Sequence, residues 1–229
     1  MARLPRFHIC DVPIHVVQRG NNRTACFLDD MDRHRYLDEL GRAARANSVD
    51  IHAYVLMSNH VHLMLTVRDS GSLSRTMQAL GRRYVCWFNA RHGRTGTLWE
   101  GRFHESPIGN DRYLWNCHRY IELNPVRAGI CARSAEFRWS SHAGNAHGQD
   151  DPILTPTPQY QLLGPDRPSR CDAYRALFLE PPTVADIEEI RGHLRQQRAM
   201  GDPSFQARLA AHAGRVTALS KSRERVVAA

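Results

Sequence analysis

Residues Ile51–Arg68 read IHAYVLMSNHVHLMLTVR, and the alternation in this stretch decides the fold. "IHAYVLM" (Ile51–Met57) and "HVHLMLTVR" (His60–Arg68) are apolar and of strand length. Ser58-Asn59 between them is short enough for a hairpin connection. Side chains alternate along a strand, so Val61, Leu63, Leu65 and Val67 point one way, and His60, His62, Met64, Thr66 and Arg68 the other. The first set is a core face. The second puts two imidazoles on the opposite face with Cα atoms about 7 Å apart, a span over which two ligands can close on one metal ion. Alone, the pair is not specific and reads more often as structural or incidental than as a metal site or nucleic-acid contact.

Working outward, Ile14–Gly20 (IHVVQRG) reads as a strand and "NNR" as a turn. Asp32–Ala46 reads as a helix, with Tyr36, Leu37, Leu40, Ala43 and Ala44 on its apolar side. A second helix opens at Gly71-Ser72 and runs to about Ala90, with Leu73, Met77, Leu80, Tyr84 and Phe88 at helical spacing. Thr97–Ile108 reads as a strand broken at Gly101. Asn110 or Asp111 caps a helix expected to end before Pro125. The order β-α-β-β-α-β plus a helix predicts an α+β, ferredoxin-like antiparallel sheet with helices on one face and the other face available. Beyond Arg138 the pattern weakens. "HGQDDPILTPTP" reads as a linker, Ser169–Leu179 and Thr183–Met200 as helices, residues 201–215 as a further capped helix, and the chain from Val216 as a frayed tail.

Composition narrows the function classes. The 229 residues carry 31 Lys+Arg against 23 Asp+Glu, a net charge of +8. This excess favours an anionic partner, nucleic acid first. Lys221 is the only lysine, and arginine's planar fork suits phosphates and base edges. Mean hydropathy is −0.50 and no apolar run approaches a membrane span. The start, "MARLPRFHICDVP", lacks a signal-peptide core, so a cytoplasmic protein is expected. The six cysteines form no CxxC pair and read as reduced packing residues.

In Asn110–Ile130, NDRYLWNCHRYIELNPVRAGI, Tyr113, Cys117, Tyr120 and Asn124 share a helix face, and Leu114, Cys117 and Ile121 form the apolar stripe that seats it. A tyrosine has a chemical use here. Its phenol is weakly nucleophilic, with a reference pKa of about 10. A nearby divalent ion would polarise a phosphodiester and favour attack. The product would be a covalent phosphotyrosyl link. Tyr120 reads otherwise as an ordinary half-buried aromatic, and Asn124 as a capping residue.

"HVHLML" together with "YIELNPVRAG" resembles the single-tyrosine (HUH-type) transposases of the IS200/IS605 kind, most nearly their REP-associated branch. "HVVQRGNNR" (His15–Arg23), "MSNHVHL" (Met57–Leu63), "LWEGRF" (Leu98–Phe103) and "WSSH" (Trp139–His142) extend the resemblance over roughly Pro5–Gly144. It implies a metal-dependent single-stranded DNA endonuclease and strand transferase acting at hairpins of REP-like palindromic repeats. It places the metal on His60 and His62, with Asn124 where some relatives carry a glutamine, and the catalytic tyrosine on Tyr120. Mg²⁺ or Mn²⁺ is the implied cofactor, in line with mixed nitrogen and oxygen ligands. Monomer and homodimer both occur among such proteins. The expected division is a catalytic domain over 1–148, then a linker and DNA-contacting helical extension over 149–229.

Phosphate contacts are expected from Arg19, Arg23, Arg82, Arg83, Arg94, Arg102, Arg119 and Arg127, and base-edge contacts from Asn21, Asn22 and Arg23. Trp87, Trp99 and Trp115 are stacking candidates, although Trp99 and Trp115 read equally as core. The alternative from a different class is a non-catalytic DNA-hairpin binding protein on the same fold, which would bind hairpins without the histidines or a metal.

Overall fold

The computed structural model describes residue 6, residues 9–214 and residues 216–219. Strands β1 (Ile14–Arg19), β2 (Val49–Leu56), β3 (His60–Val67) and β4 (His104–Pro107) form one antiparallel sheet in the order β2-β3-β1-β4. Helix α1 (Asp30–Ala46) joins β1 to β2, and α2 (Ser72–Arg91) joins β3 to β4. The α+β, ferredoxin-like plan expected from the alternation is the fold observed.

The hairpin sets the register. Val55 lies opposite His62 across β2 and β3, and Val17 lies opposite His62 across β1 and β3. Val61, Leu63, Leu65 and Val67 therefore pack with Tyr36 and Leu40 of α1 and with Leu80, Tyr84 and Phe88 of α2. Local chemistry starts these helices. Asp29 caps α1 by accepting from the Asp32 amide at 3.1 Å. Gly71, at φ +85°, supplies the left-handed turn into α2.

The opposite face of the sheet is covered too. Helix α3 (Asp111–Glu122) lies on it, seated by Leu114, Cys117 and Ile121 against Ala53, Val55 and Met64. The helix does not simply stop before Pro125. A short helix α4 (Asn124–Arg127) follows, with Pro125 in its first turn, where a missing amide hydrogen costs nothing. The strand expected over Thr97–Ile108 is shorter: only His104–Pro107 pairs along β1, and Trp99 makes a single bridge to Gly20. Gly101, at φ +155°, separates the two pieces.

Five helices follow: α5 (His142–His147), α6 (Pro158–Gln161), α7 (Arg167–Ala176), α8 (Val184–Gln196) and α9 (Pro203–Ala213). The helix expected to reach Met200 ends at Gln196, because Gln197 turns left-handed at φ +51°. Helix α8 joins the second core through Ile190 and Leu194. Met200 then pairs with Ile108 beside β4, while Leu154 and Ser140 bridge to Ile51 and Val55 of β2. Residues 220–229, most of the expected frayed tail, lie outside the described residues.

Candidate active site

Strand alternation brings His15, Val17 and Arg19 of β1 to the same face as His60 and His62, with Arg19 opposite His60. His104 of β4 stands beside Val17. A cleft of about 820 Å³ opens over this row and is lined by His60, His62, Tyr120 and Asn124, so the four residues expected to form the site share one cavity within one chain. The rings of Tyr120 and His62 have centroids 5.5 Å apart at 80°, and those of His60 and His62 are 5.0 Å apart. Tyr120 is 5% exposed, yet it lines the cleft, and among the described residues no hydrogen bond holds its hydroxyl.

Both histidines are oriented from behind. His60 donates from Nδ1 to Asn59 Oδ1 at 2.7 Å, and the Asn59 amide in turn donates to the Arg23 carbonyl at 3.0 Å. His62 Nδ1 meets His15 Nε2 at 2.9 Å. These contacts occupy both Nδ1 atoms and leave the Nε2 atoms as the nitrogens for a ligand. His15 is fully buried, and its own Nδ1 has no partner among the described residues. The charges favour neutral rings. Burial and then the Arg127 charge hold His15 at a pKa of about 3, and burial with Arg19 holds His60 at about 4. Burial, followed by His15 and His60, puts His62 well below the usual range. Neutral imidazoles are the form that binds a metal.

Among the described residues no group of three or more His, Cys, Asp or Glu side chains is arranged to hold a metal ion. Two neutral imidazoles with the side-chain amide of Asn124 in the same cleft nonetheless fit a cation that keeps open positions. Glu100 also lines the cleft.

Helix α3 is anchored at both ends. Asn110 caps it by accepting from the Tyr113 amide at 3.1 Å. At the other end Glu122, wholly buried, accepts from Ser141 Oγ at 2.6 Å, His142 Nδ1 at 2.9 Å and Asn145 Nδ2 at 3.0 Å. Burial alone would raise the Glu122 pKa, but His142 and Ser141 outweigh it and keep the carboxyl below its ordinary range. Two stretches that the sequence singles out separately, YIELNPVRAG and WSSH, thus meet at one buried cluster of hydrogen bonds.

The expected DNA-contacting residues divide by position. Arg19, Arg23 and Arg102 line the cleft. Asn21–Arg23 form a 3-10 turn in which Asn22 and Arg23 have positive φ, and both side chains are exposed. Arg82 is exposed on α2, Arg83 pairs with Glu39 of α1, and Arg94 packs over Phe88. These three belong to the helical layer on the far side of the sheet. Arg119 binds the Leu177 and Glu180 carbonyls, and Arg127 lies over the Tyr120 ring, so both serve the protein's own framework. Trp99 is core, Trp115 packs against Tyr174, and Trp87 is half-buried beside Arg35 and Arg91. Sequence reasoning passed over His15, Glu100, His104, Arg191 and Arg195, all at the cleft or directly behind it. Strand alternation alone could have found His15.

Helices thus lie on one face of an antiparallel sheet, and a tyrosine-bearing helix lies over paired histidines on the other. Residues 8–124 match the family model described as "Transposase IS200 like", and the chain belongs to that family. Its members are enzymes that cut and rejoin single-stranded DNA through a tyrosine, and membership implies dependence on a divalent metal. A solved REP-associated tyrosine transposase bound to a REP hairpin is similar in fold, with a TM-score of 0.55 and 20% identity over 69% of this chain and 93% of that one. A candidate transposase from Deinococcus radiodurans R1 gives 19% identity over 51% of this chain and 98% of its own, at a TM-score of 0.37 that is too low to bear on the argument. No curated protein matches. No helix among the described residues is long and apolar enough to cross a membrane.

Proposed function

We propose that this transposase cuts and rejoins single-stranded DNA beside hairpins of the REP-like palindromic type, in the cytoplasm, with Tyr120 as nucleophile and Mg²⁺ or Mn²⁺ held by His60, His62 and Asn124. One observation carries this reading: the Tyr120 ring lies 5.5 Å from the His62 ring in a shared cleft of the same chain. The Tyr120 oxygen attacks the scissile phosphorus and its proton is released. The bond from phosphorus to the 3′ oxygen breaks, and that oxygen leaves as a hydroxyl. The 5′ phosphate stays on the tyrosine, so a later 3′ hydroxyl can reverse the step and join a new strand. The metal, when bound, supplies stabilisation of charge on the phosphate. Arg19, Arg23 and Arg102 would hold the backbone in the cleft, and Asn21–Arg23 would read bases. The chain beyond residue 148 would add further DNA contacts. The REP-hairpin target is supported by the fold likeness to the hairpin-bound transposase.

The test is incubation with a hairpin oligonucleotide bearing an unpaired flank, with Mn²⁺, followed by denaturing electrophoresis. A protein–DNA adduct is expected, absent with Tyr120→Phe and with chelator. No adduct across a panel of REP-like hairpins would overturn the proposal.

A further inference from the structure

Helix α8 lies outside the residues matched by the family model, yet it forms part of the cleft. Its side chains are sorted by direction. Ile190 and Leu194 are buried in the core that holds Tyr120. Two of its three acidic residues turn toward α3: Asp186 accepts from Arg112 at 3.1 Å and Asn116 at 2.8 Å, and Glu189 accepts from the Tyr113 hydroxyl at 2.7 Å, while Glu188 is exposed. Arg191 and Arg195, one turn apart on the same face, line the cleft and are exposed. Neither makes a hydrogen bond or ion pair among the described residues, whereas Arg112, whose partner Asp186 is on this same helix, does. Arg19 and Arg23 reach the cleft from β1 and the turn after it, and Glu100 is the one acid among the described residues lining it. The guanidinium groups of Arg19, Arg23, Arg191 and Arg195 converge from separate elements on the space in front of Tyr120, an arrangement suited to a chain of phosphates.

We propose that α8 is a second wall of the DNA channel, in which Arg191 and Arg195 grip two phosphates of the unpaired strand next to the bond that is cut. The inference rests on the function proposed above and extends it to residues that the family match does not reach. Docking to α3 fixes the register of this wall relative to the nucleophile. A strand clamped by α8 and held by Arg19 enters with its backbone already aligned.

The test uses the full chain with Tyr120→Phe, which prevents turnover, and fluorescent hairpins with and without an unpaired flank. Arg191→Gln/Arg195→Gln should weaken binding of the flanked hairpin by roughly tenfold or more at about 0.1 M salt, and lower the slope of log K against log salt by about 1.4, for two single-strand phosphates. Binding of the blunt hairpin should not change, and Arg191→Lys/Arg195→Lys should restore the slope. Thermal melting checks that each variant is folded. An unchanged slope, or an equal loss on the blunt hairpin, overturns the proposal. If the Tyr120-intact protein forms no adduct but the slope still falls, the catalytic reading fails and the phosphate wall stands. If it forms the adduct and the slope does not move, the wall alone fails.

Discussion

The guanidinium carbon of Arg127 lies 4.3 Å from the centroid of the Tyr120 ring, and its Nη2 donates to the Tyr120 carbonyl at 2.6 Å. One side chain thus closes the step between α3 and α4 and presents a cation to the face of the phenol. Such a cation is worth roughly 0.5–2 kcal/mol at a ring face. Arg127→Met should slow single-turnover cleavage by about tenfold while leaving hairpin affinity near that of the parent. A large loss of affinity with an unchanged rate would instead make Arg127 a DNA contact.

His15 does not face substrate. It supports His62 from behind, and such partners typically change metal affinity by about 10–100-fold. His15→Ala should weaken Mn²⁺ binding, read by calorimetry, by about that factor. His60→Ala and His62→Ala should weaken it further. Equal Mn²⁺ affinity in parent and His15→Ala would remove His15 from the site.

Asn124 is the most exchangeable position of the proposed metal set. Asn124→Asp keeps an oxygen ligand and adds charge, so Mn²⁺ should bind more tightly. Asn124→Ala should bind it more weakly. If the two variants behave alike in calorimetry, Asn124 is not a ligand.

Acid should destabilise the metal-free protein through its buried histidines. The folded pKa of His15 is about 3, below the ordinary 6.5, so the unfolded chain binds more protons between these values. The stabilisation is complete above about pH 6.5 and is lost as pH falls toward 3. From pH 7 to pH 5, His15 alone should cost about 2 kcal/mol. Denaturant titrations should show stability falling across that interval, and His15→Gln should flatten the dependence. A stability that is flat from pH 7 to 5 would contradict the buried neutral ring.

Glu122 holds the end of the tyrosine helix without touching the cleft. Glu122→Gln replaces charge-assisted hydrogen bonds with neutral ones and should cost about 2 kcal/mol. For a chain of this size that lowers the melting temperature by about 4–8 °C. Mn²⁺ affinity should persist in the folded fraction.

The sheet was legible because its signal is periodic. Alternation in His60–Val67 set the register, and that register put both imidazoles on one face. Helical spacing put Tyr120 and Asn124 on one face of their helix, and both line the cleft. The hydrogen bond between Glu122 and His142 was not legible, since nothing in a local pattern reports a contact 20 residues apart. Arg191 and Arg195 were hidden for the same reason. In sequence they belong to a polar helix, and only the docking of α8 onto α3 turns them into the cleft. Charge alone also does not separate Arg119, bound to carbonyls, from Arg19, which is open to the cavity.

The bridges of Leu154 and Ser140 to β2, and of Met200 to Ile108 beside β4, have a consequence for self-association. Both borders of the sheet carry the chain's own backbone at these points, which opposes strand-to-strand stitching between molecules. Two copies that meet must do so through helices, and the protein should resist fibrillar aggregation at concentrations where an open-edged sheet of the same length would not.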